Sequence, residues 1–225
     1  MKISVIIPVY HEEGTINPCL DALKQVARGA ALEIILVDGA SGAGTLMAAG
    51  GGVIKISAPK GRAKQMNTGA KAAVGDVLLF LHADTVLPAG AFGAIEQALA
   101  DGSAGAGAFR LAIDTKNPLL KFIQFTANLR TKVFRMPYGD QAFFFRKNYF
   151  EELGGYRDIP IMEDAEIMKR IRKNGGKIAV IDAPATTSAR RWQKEGIIYA
   201  SLRNKAVGAL FRLGVPAEKL SRYYG

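Results

Sequence analysis

The sequence has 225 residues, of which 49% are hydrophobic, and it carries a formal net charge of +10 at pH 7. This apolar content is enough to bury a core at this length, which excludes a disordered chain. The only cysteine, Cys19, excludes an intrachain disulfide and is typical of a reducing cytosol. No apolar run reaches the roughly 18 residues of a membrane span, so we expect a cytoplasmic protein that is at most peripheral to a membrane.

The first hundred residues alternate between strand-like and helix-like segments. Short β-branched runs predict buried strands at Ile3–Val9, 33–37, 53–56 and 77–81. Helical patterns occur between them and after them, at 15–27, 62–74 and 89–99. This order predicts an α/β fold with a doubly wound, mostly parallel sheet. Ligands of such sheets bind beyond the carboxyl ends of the strands, so Asp38 and Asp84 are predicted to face one crevice.

The second half of the chain is basic and less regular. Strands are predicted at 106–113, 141–146 and 177–181, and helices at 119–135, 163–173 and 195–213. Residues 1–115 carry 9 Lys/Arg and 10 Asp/Glu, or −1, whereas residues 116–225 carry 21 and 10, or +11. The basic half either meets phosphates on an acceptor, a membrane or a nucleic acid, or forms a solvated surface. No repeat or linker divides the chain, which predicts one domain, 1–225, with a helical tail at 195–225.

Two carboxylate clusters are candidates for chemistry. In His82-Ala83-Asp84, alternate residues at a strand end would present an imidazole and a carboxylate to one side. That pair suits Mg²⁺ or Mn²⁺, which also takes phosphate oxygens as ligands; the alternative is an aspartate that only caps the strand. Glu163-Asp164 begins a predicted helix, where it either complements the helix dipole or supplies a general base.

Basic residues offer a candidate anion site. Arg62 and Lys64 follow Gly61 at a predicted helix N-terminus, where backbone N–H groups favour a diphosphate. An ordinary basic helix start is the alternative. Asp38 is predicted either to bind a nucleoside or to form a turn. The sequence contains no phosphate-binding P-loop, no His-Glu-x-x-His and no Gly-x-Ser-x-Gly, and its two histidines and one cysteine are too few for structural zinc.

The order of these segments resembles the family 2 glycosyltransferases, which have the GT-A fold. The similar segments are Val5-Ile6-Ile7-Pro8-Val9-Tyr10 with Glu12, Glu33-Ile34-Ile35-Leu36-Val37-Asp38-Gly39, Leu79-Phe80-Leu81-His82-Ala83-Asp84-Thr85, Gly154-Gly155-Tyr156, Glu163-Asp164 and Arg191-Trp192. The resemblance covers about residues 1–195. Within the family, the chain looks closest to small soluble members with Gly-Arg-Ala-x-Gln-Met-Asn and His-Ala-Asp-Thr motifs.

The resemblance implies an inverting transfer of a sugar from a nucleotide diphosphate, commonly UDP, to an acceptor hydroxyl or phosphate. It implies a nucleotide-sugar half at 1–103 and an acceptor half at 104–194. By position, the resemblance implies nucleotide binding for Pro8, Tyr10, Glu12 and Asp38, and Mn²⁺ or Mg²⁺ binding for Asp84. It implies catalysis for Asp164 with Glu163 in support, and phosphate or acceptor contact for Arg191 and Trp192. The residues considered above complete the candidate set, with Arg62 and Lys64 for the diphosphate and His82 as a second ligand of the metal.

Three positions depart from the family pattern. Ala43 stands about where a second aspartate follows Asp38, His82 replaces the first aspartate of Asp-x-Asp, and Ser188 replaces the glutamine of Gln-x-x-Arg-Trp. The changes at Ala43 and His82 favour, as the alternative function, a degenerate protein that binds nucleotide sugars without catalysis, and Ser188 argues against processive synthesis of a polymer. A nucleic-acid partner is not expected, because no recognition motif accompanies the basic residues. A nucleotidyltransferase is also disfavoured, because His11-Glu12-Glu13 replaces a glycine-rich loop.

The tail has two alternative partners. The helix at 195–213 either lies on an anionic membrane at its inner face, where a lipid-linked acceptor would be found, or packs on the domain or on a second copy of the chain in a homodimer. The donor sugar and the acceptor are not specified by the sequence.

Overall fold

The fold is built on one eight-stranded sheet, seen in a computed structural model that describes residues 1–27 and 29–223. The strands are β1 (Ile3–Val9), β2 (Leu32–Asp38), β3 (Ile54–Ser57), β4 (Val77–Phe80), β5 (Thr85–Val86), β6 (Ala106–Asp114), β7 (Phe144–Arg146) and β8 (Ile178–Ser188). The helices are α1 (Ile16–Val26), α2 (Gly44–Ala48), α3 (Arg62–Ala72), α4 (Ala91–Leu99), α5 (Pro118–Phe134), α6 (Lys147–Glu152), α7 (Glu163–Lys173), α8 (Arg190–Glu195), α9 (Ile197–Arg212) and α10 (Ala217–Leu220).

The sheet is mostly parallel, as predicted. Its strand order is β3-β2-β1-β4-β7-β6-β8-β5. Strands β1 to β4 are mutually parallel, and β6 is parallel to β8. Strand β7 is antiparallel to both β4 and β6, and β5 is antiparallel to β8. The predicted alternation of strands and helices therefore holds for the first hundred residues, and β7 joins that half to the second.

Helices cover both faces of the sheet, which explains the unbroken apolar runs in the sequence. Along β1, Val5 and Ile7 face a core that includes Leu20 of α1, whereas Ile6 faces a second core that includes Met66 of α3. The side chain of every second strand residue thus belongs to the same face. The predicted bounds of β1 and α7 are confirmed residue for residue.

The predicted strand 141–146 is wrong at its start. Residues Gly139–Gln141 form a 3₁₀ turn, Ala142 has a left-handed φ of 48°, and β7 begins only at Phe144. The reason is the buried amide of Gln141, which donates to the Phe109 carbonyl at 2.9 Å and accepts from the Thr131 hydroxyl at 3.0 Å. This turn delivers Gly139 and Asp140 to the edge of the sheet.

The tail is helical, and the helix predicted over 195–213 corresponds to α9, Ile197–Arg212. The short helix α8, which the sequence did not predict, precedes it, and Gly196 with a φ of 85° separates the two. Ala200 and Val207 of α9 are buried, so the tail packs on the domain. Among residues 1–27 and 29–223, no helix is long and apolar enough to cross a bilayer.

Candidate functional site

A cavity of about 540 Å³ lies at the carboxyl ends of β1 and β4. Its walls come from the end of β1, the start of α3, the turn after β4, the 138–140 turn, the start of α7 and the β8–α8 junction, with Asn204 of α9. Ten of the twelve candidate residues from the sequence line it: Pro8, Tyr10, Glu12, Arg62, His82, Asp84, Glu163, Asp164, Arg191 and Trp192. The fold therefore brings most of the candidates together.

The other two candidates lie outside the cavity wall. Asp38 is fully buried at the end of β2, where its Oδ1 accepts from the Ala40 amide at 2.8 Å. Its Oδ2 has no hydrogen-bond partner within the described part of the chain. Lys64 is exposed on α3, with its Nζ 3.6 Å from Asp158 Oδ2. Asp38 thus fits the turn-forming alternative as it stands, and Lys64 points to a surface partner.

A buried glutamine, which the sequence did not single out, holds the floor of the site. Gln65 Nε2 donates to the carbonyl of Val9 at 2.6 Å and to that of Val37 at 2.9 Å. The two carbonyls lie at the carboxyl ends of β1 and β2, where the crevice opens. A Cβ on Gly39 would lie 2.9 Å from the Gln65 amide carbon, so glycine at that position admits the amide. The signal in the sequence was only the polar residue on an otherwise buried helical face.

Arg190 is the second residue that the sequence did not identify. It makes two hydrogen bonds to Glu12, at 2.8 Å and 2.5 Å, and its Nε lies 3.1 Å from Asp84 Oδ2. Burial alone would raise the pKa of Glu12, but hydrogen bonds from Arg190 and Thr15 outweigh it and lower that pKa. Thr15, the N-cap residue of α1, thus uses its hydroxyl to bind Glu12 and makes no side-chain capping bond to the helix. One guanidinium thus bridges two carboxylates and leaves the group with a net negative charge.

Asp84 is the residue that best fits a divalent metal. Its carboxylate is partly exposed to the cavity, beside space for a phosphate ligand. Within the described ranges, no group of three or more His, Cys, Asp or Glu side chains could hold a metal ion. Mg²⁺ commonly binds proteins through one or two carboxylates plus substrate phosphates and water. The donor set therefore fits a metal that arrives with a diphosphate, and does not fit a cage made of protein alone.

His82 lines the cavity and lies beside Gly139 and Asp164. A Cβ built on Gly139 would be 3.5 Å from His82 Nε2 and 3.5 Å from Asp164 Oδ2, so these two side chains flank Gly139. Burial, reinforced by Arg62, Arg191 and Arg190, lowers the pKa of His82 to about 3. The imidazole is therefore neutral at physiological pH and serves as a hydrogen-bonding group.

Asp164 is held by the backbone at the start of α7. Its Oδ2 accepts from the Gly139 amide at 2.8 Å and its Oδ1 from the Ala165 amide at 2.7 Å. Glu163 beside it is only 3% exposed, and its Oε1 lies 3.3 Å from Arg62 Nη1. Burial raises the pKa of Glu163, Arg62 opposes this effect, and Asp164 adds to it. Both carboxylates line the cavity. A pair that only complements the helix dipole would not need this position, so the arrangement favours a role in the site.

A third acidic residue, Asp140, joins this pair. It lines the cavity, and its Oδ1 is buried with no hydrogen-bond partner among the residues described. Burial raises the pKa of Asp140 to about 6, with a further rise from Asp164 and opposing effects from Arg130 and Arg62. The sequence prediction of a strand at 141–146 placed this residue in a loop and concealed it.

Two further parts of the site region, the Gly154-Gly155-Tyr156 segment and the α8 wall, are fixed by contacts with other elements. Asn67 of α3 exchanges two hydrogen bonds with the backbone of Tyr156, at 2.7 Å and 2.9 Å, which fixes the Gly154-Gly155-Tyr156 segment. At the other wall, Trp192 of α8 lines the cavity and also packs against a small core that includes Leu120 of α5. Asn204 of α9 also lines the cavity, so the tail contributes to the site.

Comparisons with known proteins identify the family of the chain and support its fold. Residues 4–157, more than half of the chain, match the family model described as glycosyl transferase family 2. No curated protein matches the sequence. The fold is similar to the mannosyltransferase PcManGT from Pyrobaculum calidifontis, in complex with GDP-Man and Mn²⁺, with a TM-score of 0.67, 21% identity and coverage of 95% of this chain and 65% of that one.

The fold is also similar to S. aureus TarS. Residues 1-349 of that protein match with a TM-score of 0.65, 17% identity and coverage of 84% of this chain and 61% of that one. The same fragment in complex with UDP-GlcNAc matches with a TM-score of 0.62 and 17% identity, and the match covers 84% of this chain and 58% of that one. The chain therefore spans less than two thirds of the length of these structures, and likeness at such identities concerns the fold. The predicted α/β GT-A architecture is confirmed.

Proposed function

Because the chain belongs to glycosyl transferase family 2, we propose that it moves a sugar from a nucleotide diphosphate sugar to an acceptor hydroxyl or phosphate, with inversion at the anomeric carbon. The observation that carries the proposal is one cavity with two separate acidic groups, Asp84 beside Arg190 and Asp164 beside Glu163. A single displacement needs one group for the departing diphosphate and another for the attacking oxygen.

The donor is proposed to bind at the end of β1. Pro8, Tyr10 and Glu12 line that wall, and Lys60 lies 4.5 Å above the Tyr10 ring. Asp38 is fully buried and lies outside the cavity wall, so its unpaired Oδ2 would accept a nucleoside hydroxyl only if the end of β2 opened to the cavity. Lys64 would contribute to the diphosphate only by exchanging its present partner, Asp158.

The diphosphate is proposed to meet the cationic wall of the cavity. Arg62, Arg190 and Arg191 line it, and guanidinium groups bind phosphate oxygens through two parallel hydrogen bonds. A Mn²⁺ or Mg²⁺ ion held by Asp84, with His82 as the second candidate ligand, would supply further positive charge for the leaving group. Trp192 would cover the sugar or the acceptor from the α8 side.

The acceptor is proposed to approach Asp164 from the cavity, beside Gly139. Asp164 takes the proton from the acceptor oxygen while that oxygen forms its bond to the anomeric carbon. The bond between the anomeric carbon and the diphosphate oxygen breaks, and its electron pair leaves with the nucleoside diphosphate. The two backbone N–H groups on Asp164 fix the direction of its carboxylate, and Glu163 holds Arg62 next to it.

The donor class is tested by thermal shift with UDP, GDP, CDP, ADP and dTDP, each with Mn²⁺, Mg²⁺ or EDTA. A ligand that binds only the native state raises the melting temperature by mass action. We propose UDP as the nucleotide, with GDP as the alternative. The similar structures that suggest them are TarS in complex with UDP-GlcNAc and PcManGT in complex with GDP-Man. A shift that needs metal and disappears in Asp84→Asn supports the donor site; Asp182→Asn, an 86% exposed carboxylate, is the matched control.

Catalysis is tested separately, by hydrolysis of the nucleotide sugar that binds. Asp164→Asn is expected to keep the nucleotide shift and to lose about 10²–10⁴-fold of turnover, the usual contribution of a general base. Binding without any turnover in the wild type would favour the degenerate nucleotide-sugar-binding alternative, which the capture of Asp84 by Arg190 also suits. No shift with any nucleotide would reject the proposal.

A further inference from the structure

Helix α5 exposes a stripe of large apolar side chains to solvent. Phe122, Phe125, Leu129 and Val133, spaced three and four residues apart, are 58%, 63%, 49% and 59% exposed. Such spacing places them on one face. A surface helix normally buries this stripe, so its exposure requires a partner or a function.

The orientation of α5 is fixed by polar side chains on its inner face. Asn128 exchanges two hydrogen bonds of 2.9 Å with the backbone of Leu111, and Gln124 accepts from the Ile113 amide at 2.9 Å. These three bonds satisfy backbone groups of β6 that lie beyond Ala106 and Gly107, the two residues of this strand that pair with β7. Rotating α5 to bury its phenylalanines would break these hydrogen bonds and leave the β6 backbone groups without partners, which opposes the rotation.

Helix α9 presents a second apolar stripe beside the first. Ile198, Leu202 and Leu213 are 67%, 62% and 81% exposed, while Ala200 and Val207 on the other side are buried. The two helices are in contact, and Ile197 and Ala127 pack on the same small core. We call the exposed apolar residues of both helices, with the cations between them, the α5–α9 face. Its members are Leu119, Phe122, Phe125, Leu129, Val133, Ile198, Tyr199, Leu202, Leu210 and Leu213.

The charge of this face is of one sign. Neither α5 nor α9 contains an acidic residue, whereas Lys132, Arg135, Lys205 and Arg212 are exposed on or next to the stripes. Two copies of such a face would bring like charges together across an apolar contact. Cations around an apolar stripe instead match a bilayer surface, where lysine and arginine meet anionic headgroups and the apolar side chains enter the acyl boundary.

We propose that the α5–α9 face docks on a lipid bilayer that contains anionic lipid. This goes beyond the transferase reaction, since docking is a binding property that is measured without any donor. It has a consequence for the site, because Asn204 of α9 lines the cavity and Trp192 packs on the core beneath α5. The bilayer would lie next to the cavity wall, where the head of a lipid-borne acceptor can enter.

The test is cosedimentation with vesicles of phosphatidylcholine alone and of phosphatidylcholine with about 30% phosphatidylglycerol. The wild type is expected to sediment with the anionic vesicles and to be released by high salt. Phe122→Ser with Phe125→Ser is expected to weaken binding about tenfold or more, from the lost apolar insertion. Lys132→Glu with Arg135→Glu is expected to abolish the preference for anionic lipid. Met47→Ser, at a 76% exposed position on α2, is the matched control and should bind like the wild type.

Two results would overturn the proposal. One is a wild-type protein that ignores anionic vesicles, or a double serine variant that binds them equally well. The other is a dimer in sedimentation equilibrium that the double serine variant dissociates, which would identify a second copy as the occupant. The nucleotide thermal shift and melting temperature of each variant are measured in parallel, so misfolding or loss of the donor site is distinguished from loss of docking.

Discussion

Replacing Asp140 with asparagine is expected to stabilise the protein at neutral pH. In the unfolded chain this carboxyl releases its proton near its usual pKa of 3.8, whereas in the fold burial raises the pKa to about 6. Between these values the folded state binds more protons than the unfolded state, so the free energy of unfolding falls as the pH rises. Above pH 6 the penalty is complete.

The size of the effect follows from the two pKa values. Their difference corresponds to about 3 kcal/mol, at 1.36 kcal/mol for each tenfold change in acidity. The charged groups that face Asp140 are Arg130 of α5, Asp164 of α7 and Arg62 of α3. Asparagine keeps the shape and removes the buried charge together with its repulsion from Asp164. For a chain of this length, about 3 kcal/mol corresponds to roughly 6–12 °C in melting temperature.

The assay is thermal and urea unfolding of Asp140→Asn and the wild type in EDTA, at pH 4, 5.5 and 7.5 (roughly spanning the two pKa values). The gain should be absent at the lowest pH and largest at the highest. Asp182→Asn, an exposed carboxylate beside Arg110, should change stability by no more than about 0.5 kcal/mol. An equal gain at every pH, or none at the highest, would refute the reasoning.

Three further substitutions test the rest of the cavity. Gln65→Met leaves two buried strand-end carbonyls without a donor and is expected to lower the free energy of unfolding by about 2–4 kcal/mol in urea; a loss below about 0.5 kcal/mol would contradict this role. Arg190→Gln removes a competing cation from Asp84 and should tighten Mn²⁺ binding about fivefold in a titration, the equivalent of about 1 kcal/mol of repulsion in water, while slowing turnover. Gly139→Ala meets only ordinary contacts at 3.5 Å, so its unfolding curve should match the wild type, yet transfer should fall at least about tenfold because the methyl group lies beside Asp164. Unchanged transfer in Gly139→Ala would move the acceptor path elsewhere.

Local sequence patterns were sufficient for most of the sheet. The β-branched run of β1 is buried on both faces, so its bounds follow from composition alone. The carboxylates at the start of α7 were also recognisable, because acidic residues at a helix start are visible without the fold. Both are properties of neighbours in the chain.

Contacts between distant residues were not accessible in the same way. Arg190 and Glu12 are 178 residues apart, and nothing in either segment indicates the pair. Asp140 was hidden because the apolar run after it suggested a strand, whereas the buried amide of Gln141 makes a turn. For α5, the helical period was correct, but the face that turns inward is decided by the backbone groups of β6 that need partners.

The outer half of β6 has a further consequence. Beyond β7, one edge of this strand is closed by side chains alone, with Gln141 on Phe109, Asn128 on Leu111 and Gln124 on Ile113. An uncovered edge of this kind is a template for strand addition by another molecule. Three amides therefore act as a substitute strand and protect the protein from aggregation. Substitution of the α5 phenylalanines leaves that edge covered, whereas each of the three amides is needed to keep it covered and the protein soluble.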